Sequence, residues 1–85
     1  MPIKTPQPGD EQRRQTIGSR IRATRIQAGI GLRQMARDLG MSASWLLGVE
    51  LGQHGIDAVR LADVSRYLGY PASYFLDEPD YVLQR

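Results

Sequence analysis

Residues 31–53 read GLRQMARDLGMSASWLLGVELGQ, and the spacing of their apolar side chains decides how the rest of the chain is read. Leu32, Met35, Ala36 and Leu39 recur at i, i+3, i+4 and i+7, which lays one apolar stripe along a short helix. Gly40 follows the last of them, where a glycine takes the left-handed conformation that closes a helix without steric cost. Met41 then restarts the pattern. Ser42 or Ser44 offers an oxygen to the free N–H groups of a new first turn, and Leu46 and Val49, three residues apart, supply the buried face of a second helix.

Two short helices joined by a tight glycine turn describe a helix-turn-helix unit. Small Ala36 suits it, because a bulky side chain where the helices cross would hold them apart. A generic helical hairpin without a ligand fits the same pattern.

A chain of 85 residues makes one small domain with one core. It contains no cysteine, so stability owes nothing to disulfides, and a reducing, cytoplasmic location is expected. No apolar run approaches the roughly 18 residues of a membrane span, and the first residues lack the apolar stretch of a secretory signal. The net charge of +2 is unevenly spread: residues 1–37 carry a surplus of six positive charges and residues 38–85 an excess of four negative ones. A cationic side fits a polyanionic partner. A solvated mixed-charge surface fits it too.

Around the central unit, MPIKTPQPG (residues 1–9) holds three prolines and reads as a flexible N-terminal arm. Asp10 is expected to cap a first helix, which runs without proline to Gly29 with Ile17, Ile21, Thr24 and Ala28 on one face. Gly52 and Gly55 bracket a loop holding Gln53 and His54. Asp57 is expected to cap a fourth helix in which Leu61, Val64, Ser65 and Leu68 repeat, with Gly69 ending it. Pro71 opens a short fifth helix through Leu76. Tyr67, Tyr70, Tyr74 and Phe75 are expected to pack these closing helices, and Met35 and Met41 to fill the core. Residues 10–76 thus form the domain, and 77–85 a C-terminal tail whose Tyr81 to Leu83 either folds back, pairs with another copy or frays.

The stretches IGSRIRATRIQAG (17–29), LRQMARDLGMS (32–42), WLLGVELG (45–52) and LADVSRYLGYPASYFL (61–76) together resemble the lambda-repressor-like, Cro/C1-type (XRE) helix-turn-helix domains. The resemblance implies an all-α, five-helix fold and a DNA-binding transcriptional regulator, repressors included, usually a homodimer on double-stranded DNA. It implies that the third helix enters the major groove and that the second lies across the backbone, with half-sites about one DNA turn apart. It also implies a structural salt bridge between Arg25 and Glu50, which is physically reasonable because a charge near a core is tolerated mainly when paired. Ser42, Ala43, Ser44, Leu47 and Gly48 fall at the base-facing positions. Arg13, Arg14, Arg22, Arg33 and Gln53 are candidate phosphate contacts, with Leu32 where many relatives hold phosphate through a glutamine.

The departures from the family pattern are concentrated on the third helix. Relatives present hydrogen-bonding side chains there to read base edges, whereas Ala43, Leu47 and Leu51, at i, i+4 and i+8, form an apolar strip with Trp45 near its edge. A helix apolar on two sides is usually buried on both. A second reading therefore stands beside DNA binding: a repurposed helix-turn-helix that meets a protein, such as an antirepressor or assembly partner, through Ala43, Trp45, Leu47 and Leu51. An enzyme is not expected. His54, the single histidine, reads as a solvated loop residue or phosphate contact, and no ligand spacing for a metal and no cofactor motif is present.

Overall fold

The computed structural model describes residues 9–76. Five helices follow in order: α1 (Asp10–Gln27), α2 (Leu32–Asp38), α3 (Ala43–Glu50), α4 (Ala58–Leu68) and α5 (Ala72–Leu76). No strand occurs among the described residues, so the all-α, five-helix expectation holds. The arm at residues 1–9, Gly9 apart, and the tail at 77–85 lie outside the described residues.

The apolar periodicities converge on one cluster. Ile21 of α1, Met35 and Ala36 of α2, Leu46 and Val49 of α3, Leu61 and Val64 of α4, and Phe75 of α5 are all buried together. Full burial of each large side chain among them contributes about 1.5–3 kcal/mol. Ile17, Leu32, Leu39 and Met41 pack half-buried around this centre.

The turn between α2 and α3 is closed by backbone bonds that only a residue at positive φ allows. Gly40 has φ 71°; its N–H bonds the Arg37 carbonyl at 3.1 Å, and the Met41 N–H reaches back to the Ala36 carbonyl at 2.9 Å, the double closure of a Schellman motif. Of the two candidate caps, Ser42 is the one used: its Oγ accepts from the Trp45 N–H at 3.0 Å. Asp57 caps α4, accepting from the Arg60 N–H at 2.8 Å. That backbone bond is the main reason the Asp57 carboxyl is held below the ordinary aspartate range.

Four expectations change in detail. Asp10 does not cap α1; Gly9 occupies the N-cap in the left-handed region, and Asp10 lies with Glu11 in the first turn, where a carboxylate faces the positive end of the helix dipole. Ala28, expected on the buried face, is exposed at the C-cap, because the chain there has already left the core. Pro71 precedes α5 instead of standing inside it, its carbonyl accepting from the Tyr74 N–H at 3.0 Å. Of the described aromatic residues only Phe75 is fully buried; Tyr70 and Tyr74 are exposed, their rings tilted together at 4.7 Å, since a phenol hydroxyl buried in this apolar cluster would need its own partner. Tyr67 finds one at the surface: its hydroxyl donates to Asp38 Oδ2 at 2.6 Å, which ties α4 to the end of α2 and raises the phenol above its usual pKa.

Two contacts lock α1 against α3. A Cβ placed on Gly18 would collide with the Val49 carbonyl oxygen and lie 2.7 Å from that of Glu50, so the helices touch backbone to backbone at this point. Two turns further along α1 from there, Arg25 Nε and Nη2 donate to Glu50 Oε2 and Oε1 at 2.7 and 2.9 Å, with the Glu50 side chain fully buried. Arg25 Nη1 also donates to the Ile30 carbonyl at 2.8 Å. The same guanidinium therefore ties the end of α3 to α1 and to the entry of α2, and the bond to Glu50 raises the Arg25 pKa above its usual value despite burial.

Gly18→Ala is expected to destabilise the domain by about 1–3 kcal/mol, although the same change at an open helix position would gain about 1 kcal/mol; denaturant unfolding measures the sign. Arg25→Ala leaves the buried Glu50 carboxylate unpaired and should cost about 3–5 kcal/mol, whereas replacing both partners by apolar residues, Arg25→Met with Glu50→Leu, should cost less than the single change. Thermal and denaturant melts of the three proteins check this, and an Arg25→Ala variant within 1 kcal/mol of the parent, in the range of an exposed ion pair, contradicts it.

Candidate nucleic-acid interface

Helix α3 turns Leu46, Val49 and Glu50 inward, and the 3.6-residue period then sends Ser44, Leu47, Gly48 and Leu51 to the opposite side. Leu47 is 41% exposed and Leu51 50%, so the apolar strip faces outward at these two positions. Ser42 and Ser44 are exposed beside it, although the Ser42 oxygen is already engaged as the cap.

Three of the residues expected on the open face are not open to solvent. Ala43 is half-buried and packs against the core, because the helical period places it on the Leu46 side. Trp45 is half-buried against the same core, with the Arg60 guanidinium 6.0 Å from its ring centre. Gly48 is buried, covered by the His54 side chain: a Cβ at Gly48 would meet His54 Nε2 and lie 2.8 Å from Cδ2. The His54 ring also sits 5.4 Å from that of Trp45, with Nδ1 3.2 Å from the Gly55 carbonyl. The sequence held one sign of this arrangement. A glycine inside a helix costs about 1 kcal/mol relative to alanine and is commonly kept where something approaches closely, but nothing in the sequence says that the visitor is His54.

The candidate phosphate contacts divide as well. Leu32 is half-buried against the core, as an apolar side chain beside an apolar cluster must be, and presents no polar group to a phosphate. Arg14 is half-buried, its Nε donating to the Gly52 carbonyl at 3.4 Å, so the N-terminal part of α1 lies against the loop that leaves α3. That loop is closed by Gly52 at φ 75° and by the Gln53 N–H on the Gly48 carbonyl at 2.9 Å. Gln53 and Arg13 are exposed near this end. Arg33 is exposed in the first turn of α2, whose entry Arg25 ties to the end of α3. Arg22 is exposed on α1. Arg25 and Glu50 are brought together as expected, in a structural role.

Among the described residues, no three His, Asp or Glu side chains cluster to hold a metal ion, and no helix is long and apolar enough to cross a membrane.

The profile of the family described as "Helix-turn-helix domain" matches residues 18–80. A curated relative from Sinorhizobium medicae (strain WSM419), an "Uncharacterized HTH-type transcriptional regulator", is 31% identical over 62 residues, covering 73% of this chain and 45% of that protein; the chain thus spans just under half the length of the curated relative it matches. The crystal structure of the clp gene regulator ClgR from C. glutamicum superposes with a TM-score of 0.71 at 27% identity, covering 82% of this chain and 91% of the other. The BldD DNA-binding domain of S. venezulae shares the fold with a TM-score of 0.69 at 24% identity, covering 78% and 99%.

Proposed function

We propose that this chain, which belongs to the helix-turn-helix domain family of the Cro/C1 (XRE) type, binds double-stranded DNA through the outward side of α3 and serves as the DNA-binding part of a transcriptional regulator. The family is non-enzymatic. One observation carries the reading furthest: α3 is held by α1 and α2 with a side turned out, Arg14 of α1 reaches the loop that leaves it, and Arg13, Arg33 and Gln53 are exposed on α1, α2 and that loop. The names carried by ClgR and by the curated relative, a gene regulator and an HTH-type transcriptional regulator, agree with it.

In the proposed complex α3 lies in the major groove. Ser44 makes a polar contact to base edges, and Leu47 and Leu51 meet thymine methyl groups. Arg13, Arg14, Arg22 and Arg33 hold phosphates, which position the domain without reading sequence. Most of the affinity then comes from counterion release, and binding falls steeply with salt. A homodimer on a two-fold site and action in the cytoplasm belong to the same proposal.

Titration of a mixed-sequence duplex at 50 and 200 mM salt, values on the order of those that expose counterion release, is expected to show tight binding only at the lower concentration. Arg33→Ala should weaken binding about equally on all sequences and reduce the salt slope by about one. Absence of binding at low salt removes the reading.

A second reading is favoured by the exposure of Leu47 and Leu51 as neighbouring apolar groups: α3 meets a protein instead, a second copy included. Leu47→Ser combined with Leu51→Arg separates the two. If α3 contacts DNA, the added arginine strengthens non-specific binding and the sedimentation behaviour is unchanged; if α3 contacts protein, self-association or partner binding is lost while the helical signal in circular dichroism stays.

A further inference from the structure

Helix α3 reads ASWLLGVE, with Leu51 at its C-cap, and it holds no arginine, lysine, asparagine or glutamine. Those are the side chains whose paired hydrogen bonds pick out guanine and adenine in the major groove. Of the residues that the helical period sends outward, Gly48 has no side chain and is covered by His54, whose Nε2 edge is turned to the helix. Ser44 is exposed, but a hydroxyl both donates and accepts, so it pairs with either kind of base edge and selects neither. What remains is the exposed pair Leu47 and Leu51. They stand one turn apart, about 6 Å along the helix, a separation that reaches different base pairs when these rise by about 3.4 Å. An isobutyl group gains from an apolar neighbour, and the apolar group on a base edge in the major groove is the C5 methyl of thymine.

We propose that α3 recognises the C5 methyl group of a pyrimidine and not the base that carries it, so that its preferred ligand is double-stranded DNA with thymine or 5-methylcytosine where Leu47 and Leu51 touch it. This rests on the DNA-binding reading given above. The charge around the pair suits that occupant: Arg13 and Arg22 of α1 and Arg33 of α2 are exposed on the two helices that pack against α3, a cationic setting for a polyanion. Thymine and 5-methylcytosine share the methyl and differ in the group beside it, an acceptor oxygen in the first and a donor amine in the second. Leucine bonds neither, and the Ser44 hydroxyl turns to suit both. Uracil and unmodified cytosine lack the methyl and leave the leucines without their contact. Methylation of a cytosine in the site therefore strengthens binding, which makes the contact sensitive to the modification state of the DNA.

Selection from a randomised duplex pool with the full chain at low salt gives a preferred duplex, in which thymines are then replaced singly by deoxyuridine, and separately by cytosine or 5-methylcytosine opposite guanine. At a contacted position the loss of one methyl should weaken binding about fourfold, the worth of one buried carbon group, and the loss of two about fifteenfold where the positions act independently. The 5-methylcytosine duplex should recover most of the thymine affinity and the cytosine duplex none of it. Leu47→Ala and Leu51→Ala, with unchanged circular dichroism, should each lose the thymine-over-uracil preference at one position and keep it at the other. Arg33→Ala should weaken all duplexes by the same factor and leave the ratio as it was. If the parent binds thymine and uracil duplexes alike, or if the leucine variants keep the parent preference, which would place its origin in the shape of the duplex, the assignment is wrong even though the protein binds DNA. If the parent binds no duplex at low salt, the DNA-binding reading itself has failed and this one falls with it.

Discussion

The fork of hydrogen bonds from Arg25 to Glu50, with a third bond to the Ile30 carbonyl, holds the arrangement on which everything outward of the core depends. Glu50 lies at the last turn of α3 with its side chain out of contact with water, a position that costs several kcal/mol for a carboxylate without a partner. The planar guanidinium meets both oxygens and still has a donor for the chain entering α2. One side chain thereby sets how α3 stands against α1 and where α2 begins. The contact of Gly18 with the carbonyls of Val49 and Glu50 is the steric counterpart: the helices approach until their backbones touch, and the charge pair fixes the register at which they do.

What that scaffold presents is an outward helix side of uncommon chemistry for the family. Leu47 and Leu51 are exposed where hydrogen-bonding side chains are expected, with Ser44 the polar group beside them. The loop after α3 is closed by Gly52, touched by Arg14 at the Gly52 carbonyl, and packed through His54 against Trp45. In the proposed complex, affinity rests on arginines at the edges and selectivity on very few contacts at the centre.

The local pattern of the chain was enough to determine the five helices, the turn at Gly40, the cap at Asp57, a serine cap at Ser42 or Ser44, and the inward set of Ile21, Met35, Leu46, Val49, Leu61, Val64 and Phe75, because burial of an apolar stripe and closure of a helix end are local demands written in neighbouring residues. The pairing of Arg25 with Glu50 was legible only through resemblance to a family, since their separation of 25 residues along the chain carries no periodic signal. Tertiary structure alone decided what meets across the chain: that Gly18 admits the backbone of α3, that Ala43 and Trp45 turn partly into the core, that Leu32 packs instead of reaching outward, and that His54 lies over Gly48. These are contacts between elements whose relative placement comes from how the helices fill shared volume, and a missing side chain at Gly18 or Gly48 announces that something comes close without naming what does.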